Sequence, residues 1–178
     1  MDAVKGLPKL ILPSEPAIIA GDSIELVTEQ WWIPVYLFHR LLLFQLPLRG
    51  GIGTGKIHIL RKKADESDGP VFWSAREALD QAKKRGKEVH LHYGEGTSSH
   101  DKLEGIKAFL SMGILLNMTD TQRNLAFPWV WERKKITEIS EMQETLKANV
   151  SITLSRSHAY IIRRLLELEG THPERHLR

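Results

Sequence analysis

The most apolar run of this chain, residues 31–48 (WWIPVYLFHRLLLFQLPL), approaches the length of a membrane span, so it first decides which solvent the chain folds in. The run also holds Pro34, His39, Arg40, Gln45 and Pro47. An arginine at the bilayer centre costs roughly 3 kcal/mol on insertion scales, and the adjoining histidine adds to that. A buried helix over residues 34–45 is therefore expected, with no membrane partner. With that run internal, the apolar content of the 178-residue chain, 42%, suits a proper core in one medium domain or two small ones. Cysteine is absent. That excludes a disulfide framework, a thiolate zinc site and a cysteine nucleophile, and it fits a reducing, cytoplasmic location. The opening MDAVKGLPKLIL has too short an apolar core for a signal peptide, and prolines interrupt it. A net charge of +3 is too small to argue for nucleic acid from totals, so any basic footprint has to be local.

Along the chain, residues 17–20 and 24–27 flank the turn signal Gly21-Asp22 and predict a β-hairpin with Asp22 at its tip. After the apolar helix, LRGGIG (residues 48–53) and KIHIL (56–60) read as two strands, the first with glycines that let something approach its backbone. Pro70 suits a helix start and Gly86 a stop, and EVHLHY (88–93) alternates as a last strand. GEGTSSH (94–100) is a linker, dividing an α/β part (1–95) from an all-helical part (101–178). Helices are expected there over residues 101–117, 121–135, 136–146 and 155–169, with Ser155 capping the last and Gly170 ending it. The eight histidines show no ligand spacing: His90 and His92 share a strand face, with no further ligand at a recognisable interval.

Two pieces stand in a telling order. IIAGDSIELV puts a carboxylate at a hairpin turn, and LPLRGGIGTGKI is a glycine-rich strand one helix later. Attack of a ribose hydroxyl on an α-phosphate needs a divalent metal held by hard carboxylates, and a glycine strand leaves room for a nucleotide. Followed by DGPVFWSAREAL, these pieces resemble the SatD family, in which a class III nucleotide cyclase-like palm precedes a C-terminal helix-turn-helix. The match runs through Asp22; Arg49, Gly51, Ile52, Gly53 and Gly55; and Asp68, Gly69, Pro70, Trp73, Ala75 and Arg76.

The resemblance implies an α+β, ferredoxin-like palm whose first strand, with its second metal-binding aspartate, is missing. The segment before Asp22 is too short for that strand and the long helix after it, so the chain looks N-terminally truncated. It further implies Asp22 as a metal ligand, and Arg49, Gly51, Gly53, Gly55 and Arg76 around a nucleotide. Each has a plainer explanation beside it: turn chemistry for Asp22, tight helix-on-sheet packing for the glycines, a solvated or loop-pairing charge for Arg76. One carboxylate binds magnesium poorly. The expected protein is thus regulatory or DNA-binding, with a degenerate cyclase-like domain and no firm cofactor. The alternative is a magnesium-dependent nucleotidyl cyclase or transferase that completes its site from Asp65, Asp68 or a partner chain. Unpaired strand edges favour a homo-oligomer, such as a homodimer.

In the helical part, residues 155–164 carry Ser155, Arg156, Ser157, His158, Arg163 and Arg164 and no acidic residue. Read as the second helix of a helix-turn-helix, they would meet double-stranded DNA through Arg156, Ser157 and His158 near the bases and Arg163 and Arg164 on phosphates. An amphipathic helix with a solvated basic face, or a dimerisation helix, accounts for the same pattern.

Overall fold

The computed structural model describes residues 12–19, 22–86 and 88–176. The chain is mixed α/β, with two compact units. The first comprises residues 12–35 and Leu48–Leu110; the second comprises Tyr36–Pro47 with the chain from Ser111 onward.

In the first unit, β1 (Ala17–Ile19) and β2 (Ser23–Glu25) form an antiparallel hairpin in which Ala17 faces Glu25 and Ile19 faces Ser23. The expected hairpin is present; Ala20 and Gly21 of its turn lie outside the described residues. Ala17, Val27, Ala64 and Phe72 are buried together, with Val71 against them. A βαβ crossover follows: β3 (Gly50–Thr54), α2 (Pro70–Arg85) and β4 (Val89–Tyr93), with the strands parallel from Gly50 opposite Val89 to Thr54 opposite Tyr93. Pro70 opens α2, and Gly86, left-handed at φ 65°, closes it. The two sheets are separate and two-stranded each among the described residues.

The second strand expected over residues 56–60 is not one. Gly55, at φ 154°, turns the chain out of β3; Lys56 then bonds to Glu95 and Val71, and an isolated bridge joins Ile59 to Asp68, whose carbonyl accepts from the N–H groups of His58 and Ile59. Its alternation places Ile57 and Ile59 on one side of the segment, and both stay exposed.

The apolar run forms α1 (Trp32–Leu42), shorter than expected and stopped before Gln45, which takes a left-handed φ of 56°. Its Trp32–Val35 belongs to the first unit and Tyr36–Leu42 to the second. Likewise α3 (Ser99–Leu116) begins in the first unit and ends in the second. No helix among the described residues is long and apolar enough to cross a membrane.

The second unit continues with α4 (Asp120–Trp131), α5 (Ile136–Met142), α6 (Lys147–Ser157) and α7 (Ala159–Leu168). Thr119 caps α4 reciprocally with Gln122: its hydroxyl accepts from the Gln122 N–H (3.3 Å), and its own N–H donates to Gln122 Oε1 (2.9 Å). Leu125, Val130, Trp131, Ile139, Val150, Leu154, Ile162 and Leu166 form the buried side of these helices, with Leu115 of α3 buried as well.

Here the expected final helix is overturned. The supposed connection, residues 147–154, is itself helical, and Ser155 lies inside α6 rather than capping a later helix. The break falls at His158, left-handed at φ 58°. Ser157 secures it, donating to Leu154 O (2.7 Å) and accepting from Ala159 N–H (3.2 Å). Val150, Ile152 and Thr153 are β-branched and lower helix propensity here; burial of Val150 and Leu154 one turn apart outweighs it.

Candidate nucleic-acid interface

Two consecutive helices joined by a short turn, α5 and α6, come before the break at His158. After the short α5, residues 143–146 turn the chain through Glu144, at φ 46°, with Gln143 N–H bonded to Ile139 O (3.0 Å) and Thr145 N–H to Ser140 O (3.0 Å). Lys147 then starts α6. Val150, Leu154 and Ser157 line its buried side, while Lys147, Ala148, Asn149, Ser151, Ile152, Ser155 and Arg156 are exposed. No residue of α6 is acidic, so its open side offers a cation at each end, two hydroxyls and an amide. The neighbouring acids, Glu138, Glu141 and Glu144, lie on α5 and in the turn.

The residues expected to meet DNA do not share one face. Arg156 is exposed near the end of α6 and Ser157 is buried. His158 sits at the break, its ring 6.1 Å from Tyr160. Arg163 is engaged inward: its guanidinium lies 4.6 Å from the Trp129 ring centre, Nη1 donates to Trp129 O (3.2 Å), and Nε donates to Glu167 (3.1 Å). Glu167 also accepts from Arg133 (2.9 Å) and stands 3.6 Å from the exposed Arg164. The hydrogen bond from Arg163, with the charge of Arg133 behind it, holds the Glu167 carboxyl below its ordinary range. Sequence reasoning passed over Lys147, Asn149 and Ser151. The missed signal was the spacing of Val150 and Leu154, together with the absence of acid from Lys147 to Arg164.

Behind α4 lies a buried polar network. His39 Nε2–H donates to Arg123 O (3.1 Å), and the Trp131 indole N–H donates to His39 Nδ1 (2.9 Å). These partners set a neutral imidazole with its proton on Nε2, and burial lowers its pKa to about 3.

In the first unit the expected nucleotide and metal residues fall as follows. Asp22 is exposed and accepts a hydrogen bond from Ser23 Oγ (3.2 Å). Arg76 pairs with Glu25 of β2 (3.2 Å), and Arg49 is exposed. Asp68 accepts from the Trp73 indole (2.8 Å), and Asp65 lies on a 3-10 turn (Ala64–Glu66). No group of three His, Asp or Glu residues among the described residues is placed to hold a metal ion. Gly51 and Gly53 point at α2: a Cβ on Gly51 would stand 2.3 Å from Ala75 O, and one on Gly53 2.2 Å from Ala75 N. Gly55 is likewise within 3.0 Å of Val71 N on that measure. The glycines therefore seat the helix backbone directly on the strand, and that side of β3 has no room for a nucleotide. No protein-family model matches this chain, and no curated protein or solved structure matches it either.

Proposed function

We propose that this chain is a regulatory DNA-binding protein that lays α6 in the major groove of duplex DNA. The observation that carries this reading is an acid-free, exposed helix face, presented immediately after a short helix and a four-residue turn. Lys147 and Arg156, at the two ends of α6, reach phosphates, while the exposed side chains between them, Ala148, Asn149, Ser151, Ile152 and Ser155, face base edges. We also read the β1–β2 hairpin and the β3–α2–β4 crossover as the remaining strands of a ferredoxin-like, SatD-type palm that serves the DNA-binding half without turnover of its own. Its four strand edges have no further strand among the described residues, which favours a homo-oligomer.

The test is fluorescence anisotropy with duplex DNA across a salt series. Binding should weaken with salt, and Lys147→Ala and Arg156→Ala should each reduce the slope of log affinity on log salt by roughly 0.9. Absence of salt-dependent binding by the wild type at low ionic strength would end the DNA reading.

A further inference from the structure

We infer that the site read by α6 has an A·T core, with thymine methyl groups facing Ile152; this rests on the DNA-binding reading above. Ala148, Ile152 and Arg156 recur at intervals of four and so share one side of α6, the side away from the buried Val150 and Leu154. Asn149 flanks that side. Ile152 stands out: a large β-branched apolar side chain, 51% exposed, at the middle of an open face whose other exposed residues are Ala148 and polar or charged side chains.

The major groove supplies what such a group would meet. The apolar group that a base pair presents there is the C5 methyl of thymine. An amide such as that of Asn149 pairs bidentately with N6 and N7 of adenine, so two neighbouring side chains ask for the two members of an A·T pair. Contact with the cytosine amino group falls to Asp or Glu, and α6 has neither. The residues capable of reading guanine, Lys147 and Arg156, stand at its ends. Because the N-terminal part of a recognition helix approaches the bases first, Ala148, Asn149 and Ile152 fall on the central pairs.

The experiment uses the full chain and a randomised duplex library, followed by anisotropy on the enriched sequence and on the same duplex with deoxyuridine in place of each thymine. Enrichment of consecutive A·T pairs is expected. Removing one contacted methyl should weaken wild-type binding about fourfold, the loss of one buried methyl-sized group. Ile152→Ala should bind the two duplexes equally, and Asn149→Ala should relax the preference for adenine. Circular dichroism checks that both variants fold, as expected of exposed positions. Salt-dependent binding without A·T enrichment, or with indifference to deoxyuridine, overturns the inference and leaves DNA binding standing. Absence of binding to the library at any salt overturns both.

Discussion

His39 sets an acid limit on the second unit. Its folded pKa, about 3, lies below the ordinary 6.5, so the folded state excludes a proton that the unfolded chain binds. The stability this gives is complete above 6.5 and is lost as pH falls from there toward 3, by up to about 1.4 kcal/mol per pH unit. Urea midpoints at pH 7.5, 5.5 and 4.5 should fall accordingly; a His39→Gln variant should show a flatter dependence over the same interval. Trp131→Phe leaves Nδ1 of that buried ring without its donor and should cost about 1–3 kcal/mol. At the sheet, Gly53→Ala forces a methyl into the α2 backbone, where no flexible side chain can yield. It should destabilise by about 2–4 kcal/mol in thermal melts followed by circular dichroism.

At the level of elements, Arg163 and Arg156 should separate cleanly. Arg163→Ala removes the stack on Trp129 and two hydrogen bonds, and should cost about 1–2 kcal/mol of stability while leaving the salt slope of DNA binding nearly unchanged. Arg156→Ala should do the reverse, and melts beside anisotropy on both variants check the pair. Elements whose ends carry their own chemistry were legible in the sequence: the hairpin around Asp22, and α2 between Pro70 and Gly86. The glycine strand was legible as a strand, and its glycines allowed either a packed helix or a nucleotide; which one sits on Gly51 and Gly53 depends on a helix arriving from Pro70 onward. KIHIL misled through its period, which reports two faces and not whether a neighbouring strand exists. The last helices were displaced along the chain for a related reason: Ser155 read as a cap, whereas the burial of Val150 and Leu154 that makes residues 147–157 helical is tertiary.

On the scale of the whole molecule, a division after residue 95 separates parts that pack together. Tyr36 packs edge-on against Trp131 with ring centres 5.5 Å apart, and His39 bonds to both Trp131 and Arg123, so the helical unit takes in part of α1. A fragment of residues 101–178 should therefore show less helix and a broader melt than the same region in the full chain, and supplying residues 31–48 in the same polypeptide should restore it. Proton–nitrogen correlation spectra of the two fragments make the comparison. The same arrangement bears on how the chain is born. Translation delivers α1 before α4, and Trp131 leaves the ribosome on the order of ten seconds after α1 at ordinary elongation rates. Through that interval the most apolar helix of the protein has neither the indole nor the carbonyl that its histidine needs. Until α4 is complete, the apolar side of α1 that meets Trp131 stays open to solvent or to whatever surface lies beside the growing chain.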